Sequence, residues 1–236
     1  MTTFRTQALH PAYVLHARKY RDTSLILDLF SEDEGRYSVV ARGARGEKSK
    51  LKGRLQPFAP LLVGYMGRGE LKTATVIDFP VQAYRLVGEK LMLGLYVNEL
   101  LYRLLGRFDP APRLFAGYQR LLASLQNPDE FIEAVRHFEI VLLQELGYGI
   151  NFDDDVVGGD RIVAERHYKY VVGEGFCRVD STGEDVFLGA ELQSISAGEL
   201  NKDVLERLKH VTRASLRELL GDKPLKSRTL FRGVAR

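Results

Sequence analysis

The fold is decided at residues 23–42, which read "TSLILDLFSEDEGRYSVVAR". Leucines at every second position of its first half fall on one face of an extended chain, and Asp28 falls on the other. This is the period-two pattern of a half-buried strand. Residues 36–42 behave similarly, and the charged run between the two segments ends in glycine, which is a turn signal. The stretch therefore predicts two β-strands joined by a turn.

Three further segments, at 12–20, 58–66 and 71–79, also read as strands. Turn signals separate them, and no helix of any length interrupts them. Five short strands within residues 1–80 fit a small barrel, and the leading candidate is a five-stranded Greek-key barrel of the oligonucleotide-binding (OB) type. We therefore predict an OB-fold barrel as the first domain.

The pattern becomes helical after Pro80. Residues 86–108 are apolar on nearly every face, as expected of a helix that is buried on several sides. A second helix is predicted over 112–125, and a third follows Asn127-Pro128, carries two acids in its first turn and stops at Gly147. The second domain, 81–236, is therefore predicted to be mainly α-helical, and the fold class is α+β.

Residues 148–195 are irregular in sequence, with a hairpin predicted at 167–179. Ser196 and Glu199 have the Ser-x-x-Glu spacing of a capping box, which places a helix N-terminus at Ser196. The helix that follows, at about 202–220, has an apolar side and a mostly positive side. Its positive side carries Lys202, Lys209, His210, Arg213 and Arg217, with Glu206 the sole acid among them.

The connection between the strands at 36–42 and 58–66 is long, glycine-rich and basic. It carries six basic side chains and one acid between Arg42 and Arg54. Three interpretations compete: a solvated loop, a phosphate-cradling loop of an enzyme, or a surface for a polyanion. A P-loop needs G-x-x-x-x-G-K-[ST] leading into a helix, whereas "GARGEKS" (43–49) has the wrong spacing and leads into a strand. Basic residues beside aromatic ones favour nucleic acid, because cations neutralise phosphates and rings stack on unpaired bases.

The distribution of charge along the chain also favours a polyanionic partner such as nucleic acid. Residues 1–80 hold 13 basic and 8 acidic residues, a net charge of +5, and residues 191–236 hold 10 and 6, a net charge of +4. The segment 151–190 has a net charge of −5. Basic ends around an acidic segment suggest a polyanionic partner at the ends.

The sequence contains no recognisable set of catalytic residues. Cys177 is the only cysteine, and the five histidines form no H-x-x-x-H or H-E-x-x-H pair. The acidic run at 153–155 is interpreted as an exposed turn rather than a Mg²⁺ site, because no second acidic cluster supports it. The N-terminal residues lack the apolar core of a signal peptide, and no long stretch is free of charge, so we expect a cytoplasmic protein with no membrane span.

Several stretches together resemble the RecO family of bacterial recombination mediators. They are spread in the expected order from residue 12 to residue 232 and cover nearly the whole chain. The matching stretches are "AYVLHARKYRDTSLILDLFSEDEGR", "ARGARGEKSKLKGRLQPFAPLL", "GRGELKT", "LYVNELLYRLL", "FEIVLLQELGYGINF" and "GDKPLKSRTLFR".

The resemblance implies an OB-fold barrel followed by a helical domain with a zinc-finger-like insertion, here at about 148–195. It implies a non-enzymatic DNA-repair protein that binds single- and double-stranded DNA and anneals strands coated by single-strand-binding protein. It also implies RecR as a partner and help in loading RecA. Some relatives bind zinc through four cysteines in the insertion; this region holds only Cys177, so we predict no zinc and no cofactor.

The basic connection at 42–54 and the helix stripe at Lys209, Arg213 and Arg217 are the two candidate faces for DNA contact. Neutralising the phosphates of two strands at once would let the strands pair. Docking of the single-strand-binding protein's acidic C-terminal tail would need an apolar pocket with a basic rim, for which Arg120, Arg136 and the basic stripe at 202–217 are candidates. An RNA-binding barrel and a nucleic-acid-processing enzyme remain as alternatives. The candidate DNA-binding residues are Arg18, Arg36, Arg42, Arg45, Lys48, Lys50, Lys52, Arg54, Lys209, Arg213, Arg217, Lys223, Lys226 and Arg228.

Overall fold

A computed structural model describes residues 8–127, 131–227 and 229 of the chain. The chain divides into two compact units. One comprises Met1–Asn127 and Pro224–Arg236, and the other comprises Pro128–Lys223. This division differs from the predicted boundary at residue 80, because the first two helices belong to the same compact unit as the strands.

The first unit contains a closed five-stranded barrel with the strand order β1-β2-β3-β5-β4. Neighbouring strands are antiparallel except for β3 and β5, which pair in parallel. This arrangement confirms the predicted OB-type barrel. The strands are β1 (His10–Tyr20), β2 (Ser24–Ser31), β3 (Gly35–Ala41), β4 (Pro60–Met66) and β5 (Leu71–Asp78).

Strand β2 is buried on both faces, whereas its sequence predicts a half-buried strand. Leu27 and Leu29 point into the barrel core, as the alternation requires. The other face is also covered, because Phe30 packs edge-on against Phe115 of a helix, with ring centroids 5.4 Å apart. Asp28 on that face is only 1% exposed, and its Oδ1 accepts a hydrogen bond of 2.6 Å from the hydroxyl of Ser38.

Helices α1 (Gly88–Leu104) and α2 (Pro112–Ser124) supply this cover. Asn98 of α1 is 2% exposed, and its side-chain amide donates to the carbonyls of Val14 and Leu15, at 3.3 and 3.4 Å. Its Oδ1 accepts from the hydroxyl of Tyr118 on α2, at 2.6 Å. The pairing of β1 with β2 is irregular between Val14 and His16, at the place where Asn98 binds β1. One buried amide therefore ties both helices to the barrel.

The segment that follows the second unit returns to α1. The carboxylate of Glu99 accepts hydrogen bonds from the backbone N–H groups of Lys226 and Ser227, both at 2.8 Å, and from the Ser227 hydroxyl at 2.7 Å. Leu225, which directly precedes these residues, is buried. Burial raises the pKa of Glu99, but the hydrogen bonds from Ser227 and Lys226 outweigh burial and lower this pKa below its ordinary value.

The second unit combines a helix pair with a small sheet. Helix α3 (Phe131–Glu145) packs against α5 (Lys202–Leu220), and the predicted hairpin is present as β6 (His167–Val171) and β7 (Gly175–Val179). A short strand, β8 (Val186–Leu188), joins the sheet in the order β7-β6-β8 and leads directly into α4 (Gly189–Ser196). The sequence did not predict β8 or α4. Asp129 and Glu130, which the sequence places in the first turn of the third helix, lie outside the described residues.

The predicted capping box at Ser196 is wrong. Ser196 is the last residue of α4, and its hydroxyl donates to Asp153 at 2.8 Å. Helix α5 starts later, where the side chain of Asn201 accepts from the backbone N–H of Val204 at 3.0 Å. Gly198, with a φ of 83°, separates the two helices, because this left-handed conformation ends α4.

Candidate nucleic-acid interface

The basic connection between β3 and β4 is a folded cap on the barrel. Successive turns run through it: Ser49 N–H donates to Gly46 at 3.1 Å, and Arg54 N–H donates to Leu51 at 3.1 Å. Ala44 and Leu55 are buried in the barrel core cluster, and Leu51 packs against it. We call residues 42–55 the basic cap. Its apolar residues close the barrel, so most of its cationic side chains face solvent.

Arg45 is the anchor of this cap. Its Nε donates to the carbonyl of Ser24 at 3.1 Å, and its Nη2 donates to the carbonyls of Arg21 and Asp22, at 2.7 and 2.6 Å. Its backbone N–H donates to Thr23 at 2.7 Å. All four acceptors belong to the β1–β2 turn and its edges. Arg45 was predicted to contact DNA, but these bonds give it a positioning role in holding the cap against that turn.

The remaining cationic side chains of the cap are exposed. Within the described part of the chain, none of its lysines forms a side-chain hydrogen bond or an ion pair, and the same is true of Arg42. Arg54 stacks on the ring of Phe79, with its guanidinium carbon 3.8 Å from the ring centroid. Arg18 is exposed near the end of β1, the strand that leads into the turn held by Arg45. The exposed cap residues are Arg42, Lys48, Lys50, Lys52 and Arg54.

Arg36 does not belong to this surface. It lies near the start of β3, about 17 Å along the strand from Ala41, where the cap begins. Its Nε donates to the carbonyl of Leu105 at 2.9 Å, and its guanidinium lies 5.6 Å from the ring of Tyr102. Burial, followed by the nearby charge of Arg107, lowers the pKa of Arg36. Arg36 therefore connects β3 to the end of α1, and we remove it from the DNA-binding candidates.

The polar side of α5 is exposed, as predicted, and it lies in the second unit. Arg213, Arg217 and His210 are exposed, whereas Val204 and Leu208 of the opposite side are buried in the core of that unit. Lys209 differs from its neighbours because it forms an ion pair with Glu206. The hydrogen bond from Lys209 lowers the pKa of Glu206, so part of the positive charge of this helix face is compensated. We call Lys202, His210, Arg213 and Arg217 the α5 basic face.

The basic residues after α5 are only partly described. Lys223 is exposed at the end of the second unit, and Lys226 is exposed in the returning segment of the first unit. Arg228 lies outside the described residues. The predicted DNA-binding residues therefore fall into a group on the barrel unit and a group on the second unit.

The two residues predicted to rim a peptide pocket have different environments. Arg120 is exposed on α2. Arg136 is only 3% exposed; its Nη1 lies 2.6 Å from a carboxylate oxygen of Glu139 and 3.2 Å from the hydroxyl of Thr212 on α5. Because a buried and paired guanidinium cannot rim an exposed pocket, the assignment of Arg136 is corrected to a buried contact between α3 and α5.

The acidic residues at 153–155 have structural partners. Asp153 accepts from Ser196, Asp154 lies 3.5 Å from Arg161, and Asp155 accepts from the backbone N–H of Val157 at 3.0 Å. In the part of the chain that the structure describes, no group of three or more His, Cys, Asp or Glu side chains is placed to hold a metal ion. None of the described helices is long and apolar enough to cross a membrane.

Sequence reasoning missed Phe79 and did not foresee the structural role of Arg45. It did not identify Arg45 as the anchor, because a charge count does not reveal which carbonyl groups lie within reach. It also missed Phe79, whose ring orients Arg54. The available signal for Phe79 was an aromatic residue directly after the last strand of a predicted OB barrel.

A closed five-stranded barrel with an exposed basic cap is typical of oligonucleotide-binding domains. Residues 1–79 match the family model described as "Recombination protein O N terminal", and residues 85–229 match "Recombination protein O C terminal". The chain belongs to the recombination protein O (RecO) family. Residues 80–84 lie between the two matches.

Relatives named DNA repair protein RecO align over nearly the whole chain. The protein of Psychromonas ingrahamii is 39% identical over 225 residues, which cover 94% of this chain and 97% of the relative. The protein of Pasteurella multocida is 42% identical over 221 residues, covering 93% and 92%. The protein of Yersinia enterocolitica is 44% identical over 223 residues, covering 94% and 92%.

Proposed function

We propose that this protein is a recombination mediator in DNA repair that binds single- and double-stranded DNA and acts without catalysis. It anneals complementary strands coated by single-strand-binding protein, and with RecR it helps to load RecA. The observation that carries the proposal is the basic cap: its exposed cations cover one end of an OB barrel in a chain of the recombination protein O family.

Annealing needs charge neutralisation more than it needs reactive groups. Two DNA strands repel each other, and cations that bind their phosphates reduce this repulsion while the bases stay free to pair. The basic cap and the α5 basic face supply such cations on separate units of the protein. We propose that each face holds one strand. Arg18, Lys209, Lys223, Lys226 and Arg228 are assigned supporting phosphate contacts.

Protein partners are the second part of the proposal. The family resemblance supports RecR and the acidic tail of single-strand-binding protein, and such a tail needs an apolar pocket with a cationic rim. Arg120 and the α5 basic face are the remaining candidates for that rim, because Arg136 is buried.

A strand-annealing assay with and without Mg²⁺ and ATP tests the function. Annealing that needs neither is the expected result, whereas cleavage of the strands would indicate an enzyme. Competition between DNA and RNA oligonucleotides of the same sequence tests the RNA-binding alternative, and stronger binding of RNA would contradict the proposal.

The two-face arrangement has its own test. Arg213→Glu with Arg217→Glu should weaken annealing while the binding of one strand by the basic cap persists. A matched control is Glu218→Gln on the same helix, which changes one exposed charge outside the α5 basic face. Unchanged annealing in the double variant would refute the role of α5.

A further inference from the structure

An open groove lies beside the basic cap in the first unit. Its volume is about 890 Å³, and it runs between residues 53–59, the segment 79–86 and the start of α1. Two arginines, Arg54 and Arg85, lie along it, and the described residues that line it include no Asp or Glu. The groove is therefore cationic and continues directly from the cap.

Arg54 and Phe79 form a flat platform in this groove. The guanidinium of Arg54 stacks on the Phe79 ring at 3.8 Å, and Arg54 remains exposed. One face of the guanidinium thus contacts the ring, which leaves the other face for a ligand. Planar guanidinium groups and aromatic rings are the surfaces on which unstacked bases bind.

The walls of the groove are fixed by backbone contacts. The N–H of Tyr84 donates to the carbonyl of Phe58 at 3.3 Å, which joins the segment 79–86 to the end of the cap connection. Phe58 has a φ of 68°, a conformation that is unfavourable for a bulky residue, and such residues cluster at functional sites. A side chain at Gly94 would come within 2.9 Å of the Phe58 ring, so α1 holds this ring closely.

We propose that the groove binds unpaired bases of a single DNA strand whose phosphates lie on the basic cap. A base stacks on the Arg54–Phe79 platform, and Arg85 contacts the adjoining phosphate. This inference rests on the proposed DNA-binding function and further specifies which part of the DNA this groove binds. Duplex DNA keeps its bases stacked inside the helix, so it contacts the cap alone. Continuity with exposed Lys50 and Lys52 favours an extended polyanion over a short acidic peptide.

The test compares Phe79→Leu, which keeps an apolar side chain and removes the flat ring, with Lys48→Ala in the cap. Affinities are measured for oligothymidylate and for a duplex of the same length. Phe79→Leu should weaken single-strand binding about tenfold, the loss expected for one stacked base, and weaken duplex binding much less, because Arg54 keeps its charge in the cap. Lys48→Ala should weaken both by the same factor. Photocrosslinking of 5-iodouracil in single-stranded DNA to the wild-type protein should label Phe79 or Tyr84.

The possible negative results distinguish failure of the groove proposal from failure of the proposed DNA-binding function. Equal effects of Phe79→Leu on both DNAs, or no effect on either, together with crosslinks only outside residues 79–86, would overturn the groove proposal while DNA binding stands. An acidic peptide ending in phenylalanine that loses its binding to the Phe79→Leu variant, with single-strand affinity intact, would also overturn it. A wild-type protein that binds neither DNA would refute the proposed function itself.

Discussion

Replacing Arg45 by lysine separates anchoring of the cap from contact with DNA. Lysine keeps the positive charge, but a single ammonium group cannot reproduce the fork that reaches Ser24, Arg21 and Asp22. A buried hydrogen bond from a charged group contributes about 1.5–3 kcal/mol, and more exposed ones contribute less. Since two of these three bonds are exposed, we expect Arg45→Lys to lower the free energy of unfolding by about 2 kcal/mol.

Two measurements check this expectation. Urea unfolding gives the change in free energy, and Arg45→Ala should lose about as much as Arg45→Lys. The salt dependence of duplex binding then shows how many phosphates the protein neutralises, because each of them adds about 0.9 to the slope of log affinity against log salt. Both Arg45 variants should keep the wild-type slope, whereas Lys48→Ala should reduce it by about 0.9. A stable Arg45→Lys protein, with a reduced slope only in Arg45→Ala, would show that Arg45 binds phosphate.

Three further predictions concern the supports of the two units. Asn98→Ala should cost about 3 kcal/mol in urea unfolding, because it removes buried hydrogen bonds to β1 and to Tyr118; a loss below about 1 kcal/mol would contradict this. Arg136→Met should cost about 3–5 kcal/mol, because it leaves Glu139 buried without this cation, and DNA affinity of the folded variant should not change. Glu99 has a lowered pKa, so its stabilising effect is present above the unfolded pKa and is lost as pH falls through the folded one. Glu99→Gln should therefore flatten the acid side of the stability profile, and an unchanged profile would refute this role.

The elements that the sequence predicted correctly are those with a local pattern. The five strands were predicted from short extended segments bounded by turn signals, and α5 separates apolar from basic residues at helical spacing. Strand β8 has three residues, too few to show a period. The start of α5 was misplaced because Ser196 and Asn201 both suit a helix N-terminus, and contacts distant in sequence determine which of them caps α5.

The residues of the candidate site were predicted less completely than the strands and helices, because their roles depend on partners that are remote in sequence. The exposure of the cap lysines could be predicted from sequence, because an exposed cation needs no specific neighbour. Arg36, Arg45 and Arg136 look the same in a charge count, but each donates to a group that is remote in sequence. A guanidinium carries five donors in a rigid fork, so it serves equally well as a structural clamp. Long-range partners therefore decide which arginines remain available to a ligand.

The returning segment bound by Glu99 has a consequence for synthesis of the protein on the ribosome. Lys226 and Ser227 emerge only after the whole second unit has been translated, so the first unit lacks part of its structure throughout that time. Until then the Glu99 carboxylate has no Ser227 to bind, and the apolar site of Leu225 is open. A chain whose translation stops within the second unit, before Pro224, therefore contains all five barrel strands but lacks the segment that binds Glu99 on α1.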